Sequence, residues 1–354
     1  MRYQVAYSIG TFEAAQWDAI AGTDIGLSHR WQRVMEAGRR DYRPLYVLVE
    51  DDRGPLAAIV ANRADRFGRR GWRETLLRRL TLVVSAPFSA RQGGVALRRG
   101  VVLENALPEL ERIFDAICLR EGRLVVGVGN ISDADLPAWH GQGYAASAQA
   151  PDMVLDLPVD TYDAYVAGLP KKDRSELRRV RRRGEEMGVT FALGSPGDQP
   201  EQLHALLGEV FTRHGATADT MPFTAELFPA LEREMGAQAI VFLGYVNGRL
   251  AGFFLCLKQG ETLLWPAAGL RYELAHPSGL YFLLIDEAVR WAIANGYRLI
   301  HGGMTNEQQK GRHGFRPRAR WFCYRASPHV LNRSLRLAAG PAWRLLGRPA
   351  EIGA

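Results

Sequence analysis

The chain is poor in cysteine and in lysine, and it has no long apolar run. Its three cysteines, Cys118, Cys256 and Cys323, are scattered, with no C-x-x-C pair and no Cys/His cluster. That spacing excludes a structural zinc site and fits a reducing compartment. No run of about 18 apolar residues occurs, so no segment reads as a membrane-spanning helix. The first residues, MRYQVAYSIGTFEAAQWDAI, lack a long apolar core and carry acids early, so a secretory signal is not expected. There is no G-x-S-x-G elbow, no H-E-x-x-H pair and no Walker loop, and no low-complexity segment is present.

What is present is an ordinary globular composition in 354 residues, 47% hydrophobic and 23% charged, with room for two domains. The formal charge is +7, and only four of the 45 basic side chains are Lys. Arginine is so general here that its position says little, whereas each lysine stands out. The basic residues cluster. KKDRSELRRVRRR at 171–183 holds eight basic and two acidic side chains, residues 63–79 hold seven Arg against two acids, and residues 310–325 hold six basic residues and no acid. Such patches suit an anionic partner, whether a phosphate-bearing co-substrate, RNA or a lipid surface, and read equally well as solvated arginine-rich surface.

The chain also repeats itself. LYVLVEDDRGPLAAIVA at 45–61 and AIVFLGYVNGRLAGFFL at 239–255 are each two apolar strands around a short polar turn with Gly54 or Gly248. In both halves a helix then runs into Gly and a strand, as LERIFDAICLREGRLVVGVGN and LIDEAVRWAIANGYRLIHGGM. His-Gly recurs at His140-Gly141 and His313-Gly314, which favours a structural role for both histidines. Three repeated segments in one order mean two copies of one α/β unit. Residues 1–157 read as the first unit, with Ser28 as a helix N-cap and residues 62–80 as a basic insertion. Residues 158–326 read as the second, with a D-x-x-E capping box at Asp173 and Glu176, loops at 269–279 and 304–314, and a strand at 318–326. Residues 327–354 form an amphipathic basic segment that packs on the second domain or lies on a membrane surface.

This order of elements resembles the GNAT N-acyltransferase fold, and two such units in tandem resemble the Fem-type and BioF2-like (FemAB-like) acetyltransferase group. PSGLYFLLIDEAVRWAIANGYRLIHGGM is similar to that group's helix, "NGY", strand and double Gly, and QQKGRHGFRPRARWF to its "FKxGFG" strand entry. PKKDRSELRRVRRRGEEMGVTF resembles the basic helix that opens its second domain. LSHRWQRVMEAG and SAPFSARQGGV resemble its "SHxW" helix and "SPF…GG" loop. The implied fold class is α/β of the α+β GNAT type: two tandem units, each a mixed, mostly antiparallel sheet flanked by helices. The chain departs from the ordinary Q/R-x-x-G-x-G/A phosphate loop. It reads Glu273-Leu274-Ala275-His276-Pro277-Ser278-Gly279-Leu280, where only Ser278 and Gly279 keep the small-residue character.

The resemblance implies an N-acyltransferase working from acyl-CoA or aminoacyl-tRNA as co-substrate, with no tightly bound cofactor and no metal. The acceptor is an amine, on a small molecule or a lipid-linked precursor. Acyl transfer to an amine needs proximity and polarisation of the carbonyl rather than a strict triad. Lys310 matches the lysine of the strand-entry motif and is expected at the donor phosphate or the developing oxyanion. His276, Glu273 and Tyr281 flank the central loop as candidates for proton transfer or polarisation, and His301 ends a strand beside them. Ser278, Gly279, Arg312, Arg316, Arg178 and Arg181 are candidates for holding donor phosphates. The expected location is the cytoplasm, with tRNA or the inner membrane face as possible contacts. A non-catalytic binder of anionic lipid or nucleic acid, or an assembly partner of a polysaccharide machine, is the alternative.

Overall fold

The computed structural model describes residues 1–63, 79–86, 93–217 and 220–327. The chain divides into two compact units, one of Met1–Ala150 with the chain from Ala319, the other of Pro151–Arg318. Each is built on one mixed sheet.

The first unit runs β1 (Arg2–Ala6), α1 (Ala14–Ala21), α2 (His29–Gly38), β2 (Pro44–Asp51), β3 (Gly54–Asn62), β4 (Thr81–Val84), β5 (Val95–Leu97), α3 (Leu103–Arg120), β6 (Val125–Ile131), α4 (Leu136–Gly141) and β7 (Ala145–Ala148). The last strand of the chain, β15 (Trp321–Ala326), joins it. The order is β1-β2-β3-β4-β6-β15-β7, with β5 also on β3. Only β4 and β6 are parallel. The β2–β3 hairpin is apolar through Leu45–Val49 and Leu56–Ala61 because both faces are covered. Leu45, Val47 and Val49 pack with Leu107, Leu110 and Phe114 of α3, while Tyr46 and Leu48 pack with Trp17, Ile20 and Leu27. Ser28 caps α2, its hydroxyl accepting from the Trp31 N–H at 3.3 Å.

The second unit runs β8 (Asp152–Asp156), α5 (Tyr162–Gly168), α6 (Lys171–Glu186), β9 (Val189–Gly194), α7 (Pro200–Arg213), α8 (Leu227–Met235), β10 (Ala239–Val246), β11 (Arg249–Gln259), β12 (Thr262–Leu270), α9 (Tyr272–Ser278), α10 (Leu280–Ala294), β13 (Leu299–His301), α11 (Glu307–Arg312) and β14 (Arg316–Arg318). The order is β14-β8-β13-β12-β11-β10-β9, and only β12 and β13 are parallel. Helix α10 lies on one face, with Leu280, Leu284 and Val289 in a core with Phe242, Phe254 and Ile300. On the other face Gly269 meets the backbone of α7 at Leu206 and Leu207. Arginine-rich α6 buries a narrow stripe of Leu177, Val180 and Gly184. A Cβ on Gly184 would lie 2.5 Å from Leu283 Cδ1, so glycine lets α6 approach α10 closely.

The structure corrects several boundaries. Residues 152–156 pair with β13 and β14 in the second sheet, and residues 321–326 pair with β6 and β7 in the first. The first unit therefore ends before 157, and the expected single strand 318–326 is broken at Ala319–Arg320. Local alternation cannot show this, because it fixes which side chains share a face but not which sheet receives the strand. The expected loop 269–279 contains α9, and the loop 304–314 contains α11. Helix α6 begins at Lys171 with Pro170 at its N-cap, so Asp173 and Glu176 form no capping box. The tail after Ser327, and the basic insertion between Arg63 and Arg79, lie outside the described residues.

Candidate functional site

The two parallel pairs mark the same place in each unit. In the second, the β12–β13 ladder joins Thr262–Leu264 to Leu299–His301 and then stops, although β12 continues to Leu270. Beyond His301 the chain no longer pairs with β12 but stays on β8, where the Gly302 N–H donates to the Met153 carbonyl at 2.8 Å. A Cβ on Gly302 would stand 2.9 Å from the Phe315 ring, and Gly303 has φ +74°. In the first unit the ladder ends at Val84 and Val128, and there the chain closes the end itself. A Cβ on Gly93 would meet the Gly129 carbonyl at 2.4 Å, and one on Gly94 the Val60 carbonyl at 2.2 Å. The Val60 N–H donates to the Gly94 carbonyl at 2.7 Å. Backbone thus fills in the first unit the position that backbone leaves in the second.

Several polar groups collect at the second unit's ladder end. Lys310 on α11 is only 2% exposed. Its ammonium donates to the Thr305 carbonyl and, at 3.5 Å, to the Gly303 carbonyl. Burial pushes it down to about 8, while the charges of Asp152 and Glu307 pull the other way. Asp152 Oδ2 accepts from His301 Nδ1 at 2.8 Å, with both side chains buried. Tyr281, on the first turn of α10, packs edge-on to Phe254 at 5.2 Å. Burial pushes its phenol up to about 12, against the pull of the Asn306 side chain. Asn306 itself adopts φ 57°. The Trp265 indole N–H is buried without a partner, with its ring 5.3 Å from that of Phe315.

The remaining sequence candidates are dispersed. Glu273 and His276 are exposed on α9. Ser278 is buried, and its hydroxyl donates within the helix to Leu274 O at 2.8 Å, so it serves the backbone. Gly279 has φ +69° and lies so close to α6 that a Cβ would meet Val180 Cγ1 at 2.7 Å. Arg181 is taken up by Asp286, at 2.6 and 2.8 Å, and by the Tyr162 hydroxyl, which leaves it no spare donor fork for a phosphate. Arg178 is exposed and reaches Ser175 at 3.3 Å. Arg312 pairs with Glu176 at 3.2 Å, and Glu176 also holds Arg179 at 2.7 Å, so the two basic runs meet at one carboxylate. Arg316 is exposed on β14. Sequence reasoning missed Asp152, which read as the start of the first unit's last strand and lies far from His301 along the chain.

Both repeated histidines serve the backbone. His140 Nδ1 lies 2.9 Å from Tyr144 O, and His313 Nδ1 lies 3.1 Å from Gln309 O.

Residues 171–311 match the family model described as an acetyltransferase (GNAT) domain. No curated protein matches the chain. Among solved structures, L-PGS from Bacillus licheniformis is similar at 17% identity and a TM-score of 0.58, over 95% of this chain and 96% of that one. FemX is similar at 10% identity and a TM-score of 0.59, over 96% and 99%. A tandem GNAT protein from the clavulanic acid biosynthesis pathway is similar at 12% identity and a TM-score of 0.53, over 92% and 98%. The second unit is thus a GNAT domain. The chain as a whole has the fold of these tandem structures.

Proposed function

We propose that this protein is an N-acyltransferase that moves an acyl or aminoacyl group from acyl-CoA or aminoacyl-tRNA to an amine, with the reaction at the second unit's ladder end. The observation that carries the reading is the contrast between the units: the β12–β13 end is left by the chain, and the β4–β6 end is filled by Gly93 and Gly94. An acyl group lying there meets free strand edge on β12, a buried ammonium and a polar cluster. These supply positioning and polarisation, which amide formation requires. In this reading Lys310 stabilises negative charge developing on the acyl oxygen. The donor's phosphates meet the basic surface where α6 and α11 join at Glu176. The acceptor is an amine on a small molecule or a lipid-linked precursor. The site of action is the cytoplasm, at or near the inner membrane face. No described helix is long and apolar enough to cross a membrane.

The test sets the full chain against acetyl-CoA and longer acyl-CoAs, followed by thiol release. In parallel it uses tRNA charged with labelled amino acids, followed by loss of the label, each with a panel of primary amines. Amine-dependent release from one donor class is the expected result. No release from either class overturns the reading. One feature favours a second reading, a non-catalytic binder of polyanions: Lys171, Lys172, Arg178, Arg182 and Arg183 all stand exposed on α6. Salt-sensitive binding to tRNA or anionic vesicles without any transfer would select it.

A further inference from the structure

We propose that His301 is the proton acceptor of the second unit and that Asp152 is the residue that positions it. This rests on the acyl-transfer reading for its purpose, though not for its test.

Asp152 begins β8 and His301 ends β13, and strand register makes them neighbours. His301 lies opposite Val154, and Asp152 is two residues from Val154, so all three side chains share one face. That face is the one turned from α10, because Leu155 and Ile300, the adjacent pair, lie in the α10 core. His301 is 5% and Asp152 6% exposed. A carboxylate–imidazole pair this deep is costly to desolvate, and packing alone does not call for it.

The hydrogen bond fixes the chemistry of the ring. An ionised carboxylate only accepts, so Nδ1 carries a proton, and in the neutral ring the lone pair is on Nε2. No described group bonds Nε2. Trp265 Nε1 and His313 Nε2 are buried without a partner. The Lys310 ammonium, anchored by the carbonyls of Thr305 and Gly303, adds positive charge on the side of Asp152. His301 is also the last residue of the ladder, so it stands where the two strands part. The other histidines of this unit lack the set. His313 is sealed and bonds a backbone carbonyl, His276 is exposed, His204 Nε2 lies 3.2 Å from Phe223 O, and His214 stands half-buried at the C-terminal cap of α7, away from the ladder.

The step balances without a further reactant. The neutral amine attacks the acyl carbon and a C–N bond forms. The proton of the resulting ammonium passes to His301 Nε2. As the tetrahedral adduct collapses, the C–S bond of a thioester or the C–O bond of an aminoacyl ester breaks. The imidazolium returns that proton to the departing sulfur or oxygen, and His301 is neutral again.

Two measurements need no substrate. In the full chain labelled with 15N-histidine, long-range proton–nitrogen correlations, assigned through His301→Gln, should show His301 neutral with the proton on Nδ1. Diethylpyrocarbonate, followed by peptide mass spectrometry, should modify His301 while leaving His313 untouched, and Asp152→Asn should slow modification of His301 at least severalfold. A proton on Nε2, or a wild-type His301 that is inert while His276 reacts, overturns the proposal. With the donor and amine that the wild type uses, His301→Ala should lower kcat by about 10²–10⁴ at little change in KM. Millimolar imidazole should restore part of that loss. Asp152→Asn should lower kcat in the same sense, and His301→Gln supplies a second variant should the alanine chain misfold. A His301→Ala chain with near-normal turnover also overturns it. A wild type that transfers nothing counts against the acyl-transfer reading alone, because the tautomer and labelling results still decide the dyad.

Discussion

His313 is buried over Phe282, with ring centroids 4.0 Å apart, and burial pushes it down to about 4. In the unfolded chain it titrates near 6.5. Between these values the unfolded state binds the extra proton, so this stabilisation is complete above about pH 6.5 and is lost as pH falls toward 4. A shift of that size corresponds to roughly 3 kcal/mol. His313→Leu is expected to flatten the fall in melting temperature between pH 6.5 and pH 4 relative to wild type. Parallel curves for the two chains would refute the assignment. Lys310 makes a different prediction. Removing its ammonium strips a donor from the Thr305 and Gly303 carbonyls, at about 1–3 kcal/mol. In the proposed reaction it also removes a contact made in the transition state, at about 10²–10³ in kcat. Lys310→Ala should show both losses, and Lys310→Arg should recover little, since a planar guanidinium is too wide for that cage. Near-normal turnover for the alanine variant removes Lys310 from the site.

Two glycines separate backbone geometry from helix propensity at the scale of elements. Gly208 lies inside α7 with open space around its Cα, and Gly279 joins α9 to α10 at φ +69° against Val180. Gly208→Ala is expected to raise stability by about 0.5–1 kcal/mol. Gly279→Ala is expected to lower it by more than about 1 kcal/mol. Chemical denaturation of the two variants checks both signs together. Elements with strong local patterns were legible in the sequence. Both hairpins, the long α10 and the arginine-faced α6 with Leu177, Val180 and Gly184 turned inward follow from periodicity. Helix α9 did not, because RYELAHPS carries a proline and little apolar spacing. Helix α11 is barely more than a turn, too short for any period to declare itself. The break between β14 and β15 was hidden because no glycine or other turn residue stands between Arg318 and Trp321, while the two ends pair with different sheets. Of the proposed site, Lys310 stood out in the sequence through its motif and its rarity, and it is buried in the fold. The Asp152–His301 pair did not stand out, since register rather than sequence proximity brings the two together.

At the scale of the molecule, β15 completes the first unit. It lies between β6 and β7 in the first unit's sheet. Its Arg325 is 1% exposed, bound to Glu111 and, at 2.7 Å, to Asp115. Arg325→Ala leaves Glu111 buried and without its cation, and should cost about 3–5 kcal/mol, read as a fall in the first unit's unfolding transition. A fragment of residues 1–150 should fail to give a cooperative transition, and the same fragment with residues 319–327 joined by a flexible linker should regain one. A cooperative transition in the bare fragment would show that β15 is dispensable.

That placement also sets a timetable. Domains of most chains can fold in the order in which they leave the ribosome. Here Met1–Ala150 must wait for β15, which is made after Arg318, while the described residues of the second unit all precede Ala319. Pro151–Arg318 is therefore expected to mature before Met1–Ala150. On ribosomes stalled just past residue 318, with the exit tunnel allowed for, protease should spare the second unit and still cut the first. Slow translation of the codons for residues 319–327 would then prolong the exposure of the first unit's sheet and leave the GNAT domain untouched.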